Sequence, residues 1–294
     1  MLSHYHTAID PDEENDAHSC LLRMVGFNKR VLEAGCASGH VSEALCAQGC
    51  SVVGIEIDAD VVKPAEKWVE RVVIGNFDDG LLWKELEGEI FDAVLFGDVL
   101  EHLKDPLATL LESMKHLDSS GSVVISVPNI AHADVKIALL KGTFPYADDG
   151  LLDRTHIHFF TKESLLALVK EAGLVPIEFR RVTVPAFATE LGVTRSDVTD
   201  EVLHAILEDR ESLTYQFVLK AVRDDGSASL ESLSLNLIAL SDKLVDEQRR
   251  YEALETMYLA NMNDLVHLRK QMAVAKRLVP KPLRTLGRKV LRQR

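Results

Sequence analysis

Along the first 220 residues, short apolar runs alternate with segments of helical period. The runs Arg30–Glu33, Ser51–Glu56, Arg71–Ile74, Phe91–Phe96 and Ser122–Val127 are rich in Val and Ile. Continuous apolar runs of this length suit strands buried on both faces, as in a parallel sheet. Between them, His40–Gln48, Asp60–Val69, Pro106–Leu117 and Lys162–Glu171 read as helices. The alternation predicts a doubly wound, mostly parallel α/β sheet with helices on both faces. Two later runs, Leu174–Val184 and Leu213–Val222, raise the strand count to seven. They fit a β-hairpin at the sheet edge, with irregular sequence between them.

The pattern breaks at Asp224-Asp-Gly-Ser-Ala-Ser229, a polar segment with linker composition. Residues 1–223 are therefore expected to form one α/β domain and 224–229 a linker. From Leu230 the period changes to 3.5. The a/d series is Leu230, Leu233, Leu237, Leu240, Leu244, Glu247, Tyr251, Leu254, Tyr258, Asn261, Leu265, Leu268, Met272 and Ala275. Only Glu247 and Asn261 interrupt it, so residues 230–275 are expected to form a coiled coil and a homo-oligomer. A single long helix folded back on the domain is the competing reading. Pro280 and Pro282 end the helical pattern.

Charge adds a second boundary. The net charge is −13, but residues 276–294 hold eight basic and no acidic side chains, leaving −21 on the remainder. An acidic body disfavours nucleic acid as a partner. Leu283, Leu286, Val290 and Leu291 interleave with the basic residues of the tail. That pattern suits a short helix on an anionic membrane surface, and equally a solvated tail. No stretch is long and apolar enough to span a membrane, and the N-terminus lacks a signal-peptide pattern. The four cysteines have no zinc-like spacing. The expectation is a cytoplasmic protein, peripheral at most to the inner face of the membrane.

The chemistry is concentrated at strand ends. Arg30-Val-Leu-Glu-Ala-Gly-Cys-Ala-Ser-Gly-His40 runs from a strand through a turn of small residues into a helix. Gly35 and Gly39 permit close approach of a ligand to the backbone. A dinucleotide site is the alternative, but the spacing is Gly-x-x-x-Gly, and Glu33 stands just before the first glycine. A carboxylate there suits a positively charged ligand better than a pyrophosphate. Glu56, at the end of the next strand, is placed to accept hydrogen bonds from a ribose diol. Asp58 competes for that role and is read as belonging to a helix N-cap. Asn76 and Phe77 end the third strand, where Asn76 would meet an adenine edge and Phe77 supply a wall.

These motifs resemble the class I S-adenosylmethionine-dependent methyltransferases over residues 1–222, near the quinone-biosynthesis O-methyltransferases. The resemblance rests on Glu33-Ala-Gly-Cys-Ala-Ser-Gly39, Gly54-Ile-Glu-Ile-Asp58, Gly75-Asn76, Phe91 through Leu103, Val127-Pro-Asn129 and Leu152 through Thr161. It implies a seven-stranded Rossmann-like fold and S-adenosylmethionine as cofactor, held by Glu33, Gly35, Ala37, Gly39, Glu56, Ile57, Asn76, Phe77 and Gly97. Ala37 stands where the family usually has glycine, and Asn76 where it usually has aspartate. The resemblance also places Gly97 and Asp98 beside the transferring methyl.

Within Asp98-Val-Leu-Glu-His102, His102 is the first candidate for a base, since an unperturbed imidazole titrates near working pH. Related quinone methyltransferases use a similar Asp/Glu-x-x-Glu-His arrangement for a divalent metal; here no metal is expected. The family places Asp153-Arg-Thr-His-Ile-His158 over the acceptor pocket, making His156 the second catalytic candidate and Arg154 an anchor. Extended alternation would put His156 and His158 on one side. Tyr5, His6 and His18 are candidates for a lid. The expected activity is O-methylation of a hydroxyl on a glycan or envelope-associated acceptor, the class of bacterial surface-polysaccharide methyltransferases that the domain resembles. A quinone or other small-molecule acceptor is the alternative, as is a non-catalytic scaffold working through the coiled coil.

Overall fold

The computed structural model describes residues 9–251 apart from 228, 231 and 249. Two compact units divide the chain, Met1–Asp242 and Lys243–Arg294.

The first unit is built on one seven-stranded sheet. Its strands are β1 (Arg30–Ala34), β2 (Ser51–Glu56), β3 (Arg71–Ile74), β4 (Phe91–Gly97), β5 (Leu117–Pro128), β6 (Leu174–Thr183) and β7 (Thr214–Arg223). The order is β3-β2-β1-β4-β5-β7-β6. The first five pair in parallel, and β7 lies antiparallel between β5 and β6. The order reverses between β1 and β4, where an open α/β sheet leaves a crevice at the carboxyl ends of its strands.

The helices are α1 (Ala17–Val25), α2 (His40–Ala47), α3 (Pro106–Lys115), α4 (Ala133–Leu140), α5 (Lys162–Glu171) and α6 (Asp200–Glu208). Local chemistry sets several starts. Asp105 accepts from Ala108 N with Pro106 in the first turn of α3, and Thr161 and Ser164 form a capping box on α5. The interior on one side of the sheet holds Phe91, Phe96 and Phe217, and that on the other Leu21, Leu22 and Val31, all at most 1% exposed.

Three features correct the sequence reading. The segment Asp60–Val69 is no α-helix; only a 3₁₀ turn forms, at Ala65–Lys67. Pro64 explains this, since a proline disfavours helical backbone at the residue before it. Asp58 accordingly caps no helix, and its Oδ1 accepts from Asp60 N at 2.8 Å within a turn. Helices α1, α4 and α6 were not expected. Of these, α4 is apolar nearly all round, Val135, Ile137 and Ala138 being buried, so it shows no amphipathic period.

The first unit closes with helical residues 229–230 and 232–242. Their inner face holds buried Ser234 and Leu237, which packs on the core, while Leu233, Leu235 and Leu240 are exposed. Asp242 accepts from Lys162 and Arg181 at 2.6 Å each, and Arg181 also forks onto Glu211. In the second unit, the described residues within 243–251 are helical, and Leu244 and Tyr251 are exposed. The remaining heptad positions from Leu254 onward and the basic tail 276–294 lie outside the described residues, as do Tyr5 and His6. Among the described residues, no helix is long and apolar enough to cross a membrane.

Candidate functional site

At the reversal of strand order, β1, β2 and β4 open onto a cavity of about 700 Å³, within the range of small-molecule and cofactor sites. One half is formed by the turns after β1, β2 and β3. Gly35, Ala37 and Gly39 all have left-handed backbone, with φ of 67°, 43° and 86°. A Cβ at Gly39 would stand 2.5 Å from the Ala65 Cα, so glycine is required there. That contact also shows what Gly39 does. It alone among the cofactor candidates does not line the cavity; it lets the β1 turn pack on Ala65.

Glu56 organises the same half. Its carboxylate accepts from Ala37 N at 3.0 Å, Ile57 N at 2.8 Å and Asp58 N at 3.0 Å. A carboxylate has about four lone-pair sites, so one direction stays available to a ribose hydroxyl. Glu33 is buried and accepts from Ser42 Oγ. Burial pushes its carboxyl up to about 7, against the opposing effect of the Ser42 bond. Asn76 Oδ1 accepts from Asp78 N at 2.9 Å, shaping its own turn, and Phe77 leans against Trp83 and Phe96. Ile57 is exposed at the rim, and Gly97 lies on the floor.

The other half is built by the turn after β4, the segment before α5, and β7. Asp98 has φ of 53°, a strained conformation for a side-chain-bearing residue that its hydrogen bonds hold in place. Its Oδ1 accepts from Ser126 Oγ at 2.9 Å and Gln216 Nε2 at 2.8 Å. Glu101 follows in the short turn Leu100–His102 and is fully buried. Its carbonyl accepts from Ile157 N and His158 N, clamping the segment 153–158 over the site. Both carboxylate oxygens of Glu101 lack a hydrogen bond. Burial, with the charges of Asp98 and Asp153, holds this carboxyl well above the usual range.

The two candidate histidines meet here, with ring centroids 4.7 Å apart in an edge-on arrangement. His102 Nδ1 lies 3.3 Å from Thr155 O and 3.1 Å from Thr155 Oγ1. Thr155 Oγ1 gives its own proton to Asp153, so Nδ1 carries the hydrogen of His102 and Nε2 keeps its lone pair. Burial, and then His102, lowers the pKa of His156 and favours its neutral ring. Its Nε2 stands 4.0 Å from Glu101 Oε1.

Glu101, His102 and His156 offer ligand atoms that all lie within 4.8 Å of one another. These are the groups to compare with the divalent-metal arrangement of related quinone methyltransferases. One carboxylate with both oxygens unbonded and two imidazoles form a donor set of a kind that a divalent cation accepts.

His158 is turned away from His156. The backbone bends at Asp153–His156 and is not an extended strand, and His158 faces the Lys104 carbonyl. Arg154 pairs with Asp148 on the surface and does not line the cavity, whereas His18 on α1 does. Sequence reasoning missed Ser126, Thr155 and Gln216. Each is a common polar residue whose partner lies at least 28 positions away, so no local spacing marks it.

A strand-turn-helix cradle beside two acids on successive strands, at the switch point of a seven-stranded sheet, defines a class I S-adenosylmethionine-dependent methyltransferase domain. The chain belongs to the family described as methyltransferase domain, whose model matches residues 14–178. It is similar to the ubiquinone biosynthesis O-methyltransferase of Psychrobacter arcticus, 30% identical over 173 residues, covering 51% of this chain and 66% of that one. The protein of the same description from Psychrobacter cryohalolentis is 31% identical over 137 residues, covering 40% and 52%. The chain thus spans about half to two thirds of the length of these curated relatives. The crystal structure of an S-adenosylmethionine-dependent methyltransferase from Archaeoglobus fulgidus shares the fold. It is 20% identical, with a TM-score of 0.50, covering 68% of this chain and 88% of that one.

Proposed function

We propose that this chain moves the methyl group of S-adenosylmethionine to a hydroxyl oxygen of a glycan or other envelope-associated acceptor. When bound, the cofactor supplies an electrophilic methyl on a sulfonium. The half of the cavity carrying Glu33, Gly35, Ala37, Glu56, Ile57, Asn76, Phe77 and Gly97 holds it, and Gly39 fixes the turn from behind. The observation that carries the reading is that His102 lines the same cavity with its Nδ1 held by Thr155, which leaves Nε2 to take up a proton. The acceptor oxygen attacks the methyl carbon as the carbon–sulfur bond breaks and its electron pair stays on sulfur. The acceptor proton passes to His102 Nε2. His156 borders this position, and Asp98, held by Ser126 and Gln216, orients the acceptor.

A phenolic acceptor is the second reading, supported by the ubiquinone O-methyltransferase description of the relatives. We extend the proposal to organisation: a domain to which the helical residues up to Asp242 belong, a self-associating coil over the heptads that follow to 275, and a basic tail at 276–294 that contacts anionic membrane.

Labelled methyl transfer to lipid-linked glycans and, in parallel, to phenolic acceptors tests the function. His102→Ala should lower kcat about 100-fold while S-adenosylhomocysteine affinity stays within about 3-fold. Unchanged turnover in both His102→Ala and His156→Ala would remove the base assignment.

A further inference from the structure

The chain between β6 and α6 is fastened to the rest of the domain at three successive points. At its start, His132 Nδ1 accepts from Asp134 N, so Nε2 carries the hydrogen and donates to the Val184 carbonyl at 2.9 Å. In its middle, the buried Asp134 carboxylate accepts from Phe187 N at 2.7 Å, Thr189 N at 3.2 Å and Thr189 Oγ1 at 2.6 Å. Phe187 turns there with φ of 70°, a conformation that side-chain-bearing residues rarely adopt and that these bonds hold. The turn delivers Glu190. Its Oε1 accepts from Leu151 N at 2.6 Å and its Oε2 from the Tyr215 hydroxyl at 3.1 Å.

Glu190 is exposed and is not among the described residues that line the cavity, yet both groups it holds belong to the cavity wall. Tyr215 lines the acceptor half, and Leu151 follows Gly150, which lines it together with Asp149. A Cβ at Gly150, where φ is 84°, would collide with Glu190 Oε1, so only glycine lets the carboxylate come this close to the turn. Tyr215 also precedes Gln216, whose amide holds Asp98. An exposed carboxylate is ordinarily left to water. This one spends both oxygens on segments 39 and 25 residues away, and so ties two separate pieces of the wall to each other.

We propose that Glu190 is a positioning residue for the methyl acceptor: by bridging Tyr215 and the turn at Gly150 from outside, it fixes the width of the acceptor half. This rests on the reading above that this half receives the acceptor, and it adds a determinant of which acceptors fit. Glu190 has no bond to Glu33, Glu56 or His102, so loss of the bridge acts on acceptor binding and spares the cofactor side and the proton transfer.

The test uses the full chain. In Glu190→Ala, hydrogen exchange read by mass spectrometry should speed up about 10-fold at the Leu151 amide, while calorimetric S-adenosylhomocysteine affinity stays within about 2-fold. Glu190→Gln keeps an oxygen for Leu151 N and a partner for the tyrosine hydroxyl, and should restore the protection. Labelled methyl transfer is then compared with catechol, methyl glucoside and aniline as acceptors. For whichever is methylated, Glu190→Ala should raise KM about 5-fold with kcat within about 2-fold, and Glu190→Gln should return KM to the parent value. Tyr215→Phe, which removes one of the two bonds and keeps the ring, should raise KM by a smaller factor. An unchanged KM, a fall in kcat alone, or a matching loss of S-adenosylhomocysteine affinity overturns the positioning role. Unchanged exchange at Leu151 overturns the bridge itself, and that result depends on no acceptor. Methylation of aniline alone overturns the hydroxyl reading and leaves the positioning role to stand or fall on the KM for aniline.

Discussion

The two halves of the cavity are built on opposite principles. In the donor half, the polar groups are bonded within the protein before any ligand arrives: Glu56 collects three backbone amides and Glu33 takes the Ser42 hydroxyl. In the acceptor half, both carboxylate oxygens of Glu101 and the Nδ1 of His156 are buried without a hydrogen bond. Satisfied groups fix a shape in advance and suit a ligand that never changes. Unsatisfied buried groups cost stability and are tolerated where a ligand completes them. The contrast supports the proposed reading, in which the constant cofactor takes the first side and the specific acceptor the second.

The strongest way to break this comparison is through the backbone of the donor half. Gly39→Val puts a β-branched residue at φ 86° with its Cβ 2.5 Å from a main-chain atom of Ala65. Left-handed strain and overpacking together cost about 4 kcal/mol. For a domain of this size that lowers Tm by about 10 °C and abolishes S-adenosylhomocysteine binding. A variant that melts and binds as the parent does would show that the turn is not held from behind by Ala65.

That half was also the more legible in the sequence. Gly35, Gly39, Glu33 and Glu56 stand at strand ends within 24 residues of one another, and a local pattern can report a site built from local backbone. The central strands β1, β2 and β4 were visible because burial on both faces writes itself as apolar runs. The hairpin at the sheet edge was also visible, while its antiparallel pairing to β5 came only with the fold. The acceptor half was not. It joins a turn after β4 to segments 28 to 118 residues away through Ser126, Thr155 and Gln216, and only the fold brings these together. Helix α4 was hidden for a different reason: a helix buried nearly all round has no polar face to mark its period.

A smaller effect separates the halves by pH. The Glu33 carboxyl titrates near 4.5 in an unfolded chain and is raised to about 7 in the fold. The folded state therefore binds the proton more tightly. Its contribution to stability is full below about pH 4.5 and is lost as pH climbs through 7. Glu33→Gln should remove that slope. The variant should match the parent near pH 4 and exceed it above pH 7 by up to about 3 kcal/mol, seen as a rise in denaturation midpoint. Cofactor affinity should move the other way, because an ionised Glu33 beside the cofactor's ammonium is lost. Parallel stability profiles for the two proteins would place the proton elsewhere and leave the donor half without its one poised acid.

The smallest expected effect sharpens the boundary of the donor half at Asn76. Its Oδ1 already accepts from Asp78 N, and its carbonyl from Asp79 N, so the side chain shapes the turn as well as facing the cavity. One hydrogen bond of this kind is worth about 1 kcal/mol. Asn76→Ala should therefore weaken S-adenosylhomocysteine about 5-fold. Asn76→Asp keeps an acceptor for both the turn and an adenine amino group, and should stay within about 2-fold. Equal losses in the two variants would mean that the amide nitrogen makes the contact. No loss in either would move the adenine seat to Phe77 and the main chain, and the donor half would then be held by backbone almost throughout.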